Sequence, residues 1–392
     1  MKSIIEEANL GNKKILLRLD LNVPIVDNKI TDTTRIDKIL PTLRFLIDQN
    51  TKIIIISHVG RPKGKIVNKL SLKLICEELS KKLNHNVKLI SKNIKEINSN
   101  ELFNNNDERI MMLENIRFYP EEEKNNQQFA RHLANLADIY VNDAFSCSHR
   151  PHASIHEITN FLPSYSGIQF NLEFNALKKI TTEIKKPITC IIGGSKVSTK
   201  INIIRNLIHK FDNIIIVGGM ANNIIKFLGN NIGKSLHEEN SDKIVEEILL
   251  LSEKTNCKII YPKDVLVGKD LDGNPQIKEL NEILSDDMIL DIGPKTIEII
   301  NNIIDESKTI LWNGPAGYFE NPKFANGSIK IAKKMIENNK SNIIYSVAGG
   351  GDTVSLINSL NAINNFNFVS TAGGAFLEYL EGKELPGIRA LK

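Results

Sequence analysis

The 392-residue chain reads as an α/β protein of two doubly wound parallel-sheet lobes joined by a linker helix. Three observations predict this. The length exceeds what one hydrophobic core usually supports, so two domains are expected. Apolar, β-branched runs of strand length alternate with stretches of helical period in both halves, the pattern of βαβ units. Most of these runs stop in Gly, Pro or a polar residue, so polar groups gather at the carboxyl ends of parallel strands.

Lys14 to Leu21 (KILLRLDL) is the first strand, stopped by Asn22 and Pro24. Within it Arg18 reads as a strand residue paired with a nearby acid. Asp32 to Gln49 has a helical period through Ile36, Ile39, Leu40, Leu43 and Leu46. Arg35 would sit in its first turn, where a cation opposes the helix dipole and asks for another reason to be there. Lys52 to Ile56 is a strand running into SHVGRPKGK, which places His58 and Arg61 just past its end. Helix Leu72 to Leu83, strand Val87 to Ile90 and strand Arg109 to Leu113 follow, the last leading to Arg117. Ile139 to Val141 runs into NDAFSCSHRPHAS and so places Arg150 likewise. Asp20, Asn22, His58, Arg61, Arg117 and Arg150 are thereby expected in one crevice at a sheet's carboxyl edge, suited to a small polyanion. The acidic run Glu121 to Glu123 and the Asn-rich piece Asn104 to Asn106 read as solvated loops, and His149 and His152 as packing or supporting residues.

Gly167 to Lys186 carries one helical pattern ending before Pro187 and is expected to link the halves. Beyond it come ITCIIGG, NIIIVGG, KIIYPKD, MILDIGP, TILWNGPAG, NIIYSVAGGGDT and FNFVSTAGG, separated by helical patterns such as Ser241 to Thr255 and Ala325 to Asn338. They read as a second doubly wound, Rossmann-like parallel sheet whose loops suit a nucleotide. At Ile191 to Lys200, IIGGSKVSTK reads as a strand feeding a helix N-terminus, with glycine amides, helix dipole and two lysines turned to a phosphate. A spacing of four would put Lys196 and Lys200 on one helical face. AGGGDT adds three glycines, then an acid and a hydroxyl at a helix start, an anion nest with a metal ligand. Trp312 reads as core or hinge packing.

Several classes are excluded. The net charge is +4, and the basic residues are spread rather than run together, which argues against a nucleic-acid stripe. No apolar run approaches the ~20 residues of a membrane span. The stretch MKSIIEEANLGNKK has acids inside its first apolar segment and no cleavage pattern, so a cytoplasmic protein is expected. Cys76, Cys147, Cys190 and Cys257 lie far apart without a CxxC pair, as reduced buried thiols would.

Taken together, RLDLNVP with TRI, SHVGRPKGK, LENIRF, DAFSCSHR, GGSKVSTK, DIGPKT, WNGPAGYFE, AGGGDT and LEGKELPG resemble the phosphoglycerate kinase family, in its order and across nearly the whole chain. The resemblance implies a monomer with a phosphoglycerate-binding lobe over 1–170, a linker helix over 171–186 and a nucleotide-binding lobe over 187–380, with a tail near 381–392 returning to the first lobe. It implies reversible, Mg2+-dependent phosphoryl transfer between 1,3-bisphosphoglycerate plus ADP and 3-phosphoglycerate plus ATP, by lobes that close. Asp20, Asn22, Arg35, His58, Arg61, Arg117 and Arg150 match the phosphoglycerate positions. Gly193, Gly194, Lys200, Gly219, Asn313, Pro315, Glu320, Gly350, Gly351, Asp352 and Thr353 match the nucleotide positions, with Tyr318 lining the cleft and Asp352 holding the metal. Arg35, Lys196, Gly350, Gly373 and Gly374 are the candidates for stabilising the phosphoryl group in transfer.

Ala372 stands where the family usually has a glycine, and would be strained if its φ were positive. Two other classes share parts of the pattern: a non-catalytic two-lobe binding protein for phosphorylated metabolites, and a nucleotide- or sugar-phosphate-dependent transferase of the same layer class. The first would not need Lys196, Lys200 and GGGDT together, and the second would not need the phosphoglycerate motifs.

Overall fold

A computed structural model describes residues 1–103 and 108–392, so Asn104 to Asn106 lie outside the described residues. The chain divides into two compact units, Met1–Asn175 with Glu384–Lys392, and Ala176–Lys383.

In the first unit β1 (Lys14–Leu19) is followed by a small hairpin, β2 (Ile25–Val26) and β3 (Lys29–Ile30), then α1 (Thr34–Asp48), β4 (Lys52–Ile56), α2 (Lys73–Leu83) and β5 (Val87–Ile90). β6 (Ile110–Leu113), α3 (Pro120–Glu123), α4 (Gln127–Ala134), β7 (Ile139–Asp143) and β8 (Ser164–Ser166) complete it, with α5 (Ile168–Thr181) leading out. The sheet order is β5-β6-β4-β1-β7-β8, and every pairing is parallel. Its inner strands β4 and β6 read as nearly continuous apolar runs because both faces are covered. Ile15, Leu17, Ile53 and Ile55 pack with Ile36, Leu43 and Leu79 of α1 and α2. Leu16, Ile54 and Ile56 pack with Phe129 and Leu133 of α4. β1 ends at Leu19, two residues before the expected Leu21, because the Asp20 carboxylate accepts the Asn22 N–H at 3.2 Å and turns the chain.

The second unit contains β9 (Ile188–Ile192), α6 (Ile201–Leu207), β10 (Asn213–Ile216), α7 (Gly219–Phe227), α8 (Asp242–Lys254), β11 (Lys258–Ile260), β12 (Asp264–Gly268), β13 (Gln276–Glu279) and β14 (Met288–Ile292). After these come α9 (Pro294–Glu306), β15 (Thr309–Asn313), α10 (Asn326–Lys340), β16 (Tyr345–Gly349), α11 (Gly351–Ser359), β17 (Phe368–Ser370) and α12 (Gly374–Leu380). The main sheet, β11-β10-β9-β15-β16-β17, is parallel throughout. Fully buried Trp312 stacks on Phe366 within its core. The last helix, α13 (Pro386–Ala390), belongs to the first unit, where the Gly387 N–H donates to the Ser148 carbonyl at 2.9 Å.

Four expectations are corrected. MILDI does not enter the parallel sheet but pairs antiparallel with β12, in a separate sheet ordered β13-β12-β14. Only Tyr261, Pro262 and Lys263 separate β11 from β12, too few for the crossover that a parallel neighbour needs. The linking helix runs over Ile168–Thr181 rather than to Lys186. There the hydroxyls of Thr181 and Thr182 turn back to the carbonyls of Leu177 and Lys178, and Glu183 N–H also bonds Lys178, closing the last turn. Glu121 to Glu123 are not a loop but lie in α3, started by Pro120, and Glu122 is fully buried. Finally, the helix after GGSKVSTK begins only at Ile201. Val197–Thr199 form a single 3-10 turn, so the glycines at 193 and 194 do not open an α-helix.

Candidate active site

In each sheet the chain runs outward from its first strand in one direction and then returns on the other side, so both have a switch point where loops part. The loops after β1, β4, β6 and β7 carry the first set of site residues. Asp20, nearly buried, accepts Arg35 Nη1 at 3.0 Å and the Ser146 hydroxyl at 2.5 Å. The same Nη1 reaches the Asn22 carbonyl at 3.2 Å, while Asn22 Oδ1 accepts the Gly60 N–H at 2.9 Å. Arg117 Nη1 donates to the Gly60 carbonyl at 3.3 Å. Asp20, Arg35, Asn22 and Arg117 thus form one bonded series through Gly60. Arg61 and Arg150 are exposed at the neighbouring loops. His58 is buried, with its Nδ1 3.0 Å from Arg18 Nη2. Burial, then the cations Arg18 and Arg117, hold its imidazole well below the usual range, so it is neutral.

Sequence reasoning missed Glu122 and Ser154. Glu122 accepts the Ser154 hydroxyl at 2.6 Å and its N–H at 2.9 Å, while Arg18 Nε donates to Ser154 Oγ at 3.0 Å. The buried acid therefore answers the buried Arg18 through a serine. Glu122 is the middle of three acids followed by Lys124 and two asparagines, so nothing in the local sequence sets it apart.

The second set surrounds a cleft of about 260 Å3 in the second unit, lined among others by Gly194, Gly219, Leu236, Pro315, Tyr318, Glu320 and Asp352. The added antiparallel sheet forms part of its wall through Met288 to Ile292, and the Tyr318 N–H donates to the Leu290 carbonyl at 2.7 Å. Lys200 Nζ donates to Asn313 Oδ1 at 2.6 Å, and Asn313 Nδ2 to the Gly349 carbonyl at 2.6 Å. The Gly314 N–H donates to the Thr353 hydroxyl at 2.7 Å. Burial lowers the Lys200 ammonium from its ordinary value, against the pull of Cys190 and Asp352. Lys196 is exposed on extended backbone before the 3-10 turn and Lys200 follows that turn, so the two do not share an α-helical face as their spacing suggested.

Helix N-termini enter from other loops. α7, α11 and α12 are each preceded by a glycine with left-handed φ: Gly218 at 66°, Gly350 at 99° and Gly373 at 54°. Gly193 serves packing instead, since a Cβ there would lie 2.3 Å from the Pro315 carbonyl oxygen. Ala372 has no positive φ; that conformation falls on Gly373, and the expected strain is absent. Ala372→Gly is accordingly expected to leave kcat within about twofold in a steady-state assay, since no strain is relieved.

Asp291, in the cleft wall, accepts the N–H groups of Gly327 at 2.7 Å and Ile292 at 2.9 Å. Burial outweighs these bonds and pushes its carboxyl up to about 7 from 3.8. A raised acid favours the protonated fold, so its stabilising contribution is complete below the unfolded value and is lost as pH rises to about 7. Asp291→Asn is expected to flatten the fall in Tm across that window; an unchanged slope counts against this assignment.

Among the described residues no three His, Cys, Asp or Glu side chains gather as a metal cage. The exposed Asp352 carboxylate in the first turn of α11 is a hard oxygen donor beside the cleft, the donor type with which a Mg2+ shared with nucleotide phosphates is held.

A sequence model of the phosphoglycerate kinase family, described by that name, matches residues 5–383. The chain belongs to the phosphoglycerate kinase family. It is 47% identical over 390 residues to a phosphoglycerate kinase of Wolbachia pipientis wMel, covering 99% of this chain and 98% of that one. The structure of phosphoglycerate kinase from Coxiella burnetii superposes with a TM-score of 0.90 at 37% identity, covering 99% of this chain and 98% of that one. That of phosphoglycerate kinase from Pyrococcus horikoshii OT3 gives 0.83 at 28% identity, covering 100% and 98%. As a phosphoglycerate kinase family member the chain is a phosphotransferase, and family membership does not favour a non-catalytic binding protein.

Proposed function

We propose that the chain catalyses reversible phosphoryl transfer between ATP and the carboxylate of 3-phosphoglycerate, giving ADP and 1,3-bisphosphoglycerate. The observation that carries this reading is the division of labour between the two sheets: arginines and a neutral histidine at one carboxyl edge, and a lysine with glycine-capped helix starts at the other. The first unit would hold phosphoglycerate through Asp20, Asn22, Arg35, His58, Arg61, Arg117 and Arg150, since guanidinium forks match phosphate and carboxylate oxygens. The second would hold the nucleotide through Lys200, Asn313, Pro315, Glu320 and the amides at Gly194, Gly219, Gly350 and Gly351, with Thr353 supporting them; the Gly193 N–H is already donated to the Asn313 carbonyl at 2.9 Å.

A carboxylate is already ionised at neutral pH, so no general base is required. Catalysis then rests on alignment and on countering charge spread over the transferred oxygens. Arg35 and Lys196, with amides at Gly350, Gly373 and Gly374, would supply that countercharge. A Mg2+ held by Asp352 would screen the nucleotide phosphates when bound. Because the substrates are assigned to different units, turnover requires the units to close, which also keeps water from the acyl phosphate.

The four cysteines are buried and unpaired, as in a reducing compartment, so we assign the enzyme to the cytoplasm; a monomer is expected by sedimentation. The reading is tested by a coupled assay with ATP, Mg2+ and 3-phosphoglycerate, in which turnover should require all three. Wild-type protein that binds both substrates and converts neither would overturn it.

A further inference from the structure

Arg18 is fully buried in β1, and the hydrogen bonds around it have only one consistent direction. Glu122 Oε1 accepts the Ser154 hydroxyl at 2.6 Å, which commits the single proton of that hydroxyl. Ser154 Oγ is then an acceptor for Arg18 Nε at 3.0 Å. The Tyr140 hydroxyl, bonded to the Ser154 carbonyl, holds the serine backbone in place. At the other end of the guanidinium, Nη2 lies 3.0 Å from His58 Nδ1. A guanidinium has donors only, so Nδ1 must accept and the one proton of the neutral ring must sit on Nε2. A proton on Nδ1 would face a guanidinium N–H. Arg35, Arg117 and His152 also act on the ring, and none offers a negative charge that would favour imidazolium.

We infer that Arg18, oriented by Ser154 and Glu122, is the positioning residue that fixes His58 as its neutral Nε2–H tautomer, so that the phosphoglycerate site has one histidine donor of defined place. This rests on the reading of His58 as a substrate-binding residue. A purely structural ion pair would set the guanidinium directly on Glu122. Here a serine is interposed at Nε, Nη1 donates to the Leu19 carbonyl, and Nη2 is spent on an imidazole at the site.

The test is nitrogen NMR of protein labelled at its histidine rings, with His58→Gln used to assign the signal. In the wild type Nδ1 should appear unprotonated and Nε2 protonated, without titration between about pH 5 and 8, where an ordinary histidine changes charge. Arg18→Met should give mixed tautomers and raise KM for 3-phosphoglycerate about tenfold with nucleotide KM unchanged, the loss of one hydrogen bond. Ser154→Ala, which keeps the guanidinium but removes its Nε acceptor, should do the same in part, and decides the matter if Arg18→Met does not fold. A wild-type ring protonated on Nδ1, or a fixed Nε2–H tautomer in both variants, overturns the inference. The spectra need no turnover, so an inactive wild type with the expected tautomer would count against the proposed function alone.

Discussion

Arg35→Ala is expected to lower kcat by about two to three orders of magnitude, the usual cost of deleting one preorganised donor to developing charge. Arg35 is the second residue of α1, where its positive charge opposes the helix dipole, so the helix gains nothing from it. Asp20 holds its Nη1 at 3.0 Å, and Ser146 in turn holds Asp20, so the guanidinium is aimed from the end of β1 and from the loop after β7 together. A side chain held this way loses little rotamer freedom when substrate arrives, which is what preorganisation requires. The loss should fall on kcat, with KM for 3-phosphoglycerate changed less, because the interaction strengthens as the phosphoryl group moves. Arg35→Lys should recover only a small part, since a single ammonium nitrogen cannot keep the bond to Asp20 and also present a second nitrogen to a substrate oxygen. Tm of the variants should stay near that of the wild type. A kcat within threefold of wild type would remove Arg35 from the catalytic set.

Lys200→Ala is expected to weaken nucleotide binding about ten- to a hundredfold, and Lys196→Ala to lower kcat comparably with little change in nucleotide Kd. The two lysines differ in setting. Lys200 is half-buried, its Nζ bonded at 2.6 Å to Asn313, which is bonded on to the Gly349 carbonyl beside the start of α11. Losing it leaves the Asn313 carbonyl without that donor in a partly dry cleft, and removes a cation from the nucleotide phosphates. Lys196 is exposed on extended backbone and has room to follow a group that moves. Isothermal titration with ADP, set beside steady-state kinetics, separates the two. Equal binding defects in both variants would refute the division.

Much of the fold was legible because parallel strands buried on both faces are written as unbroken apolar runs. KIIII over 52–56 is such a run and coincides with β4, while VKLI over 87–90, an edge strand broken by Lys88, coincides with β5 through its three apolar residues. What failed did so for local reasons. The antiparallel sheet carries its own signal, an Asp-Gly pair at Asp272 and Gly273 between two short runs, but Gln276–Glu279 is mostly polar and does not read as a strand. The helix end at Thr181 was hidden because Thr-Thr can both continue a helical pattern and close it.

By itself the sequence determined the layer class, the alternation of strands and helices, and which polar residues stand at strand ends, because hydrophobic period and strand-end punctuation are local properties of the chain. It also carried the ordered blocks that mark the family. The tertiary structure alone decided partners. That Glu122 is buried and bound to Ser154, that Arg18 spends a nitrogen on His58, and that Ala372 escapes positive φ depend on groups more than thirty residues apart or on a backbone angle. Neither leaves a trace in local composition. Burial is collective: a carboxylate at 122 reads as solvated until Ser154 and the packing around it close off the water, and only then does its charge acquire a fixed address.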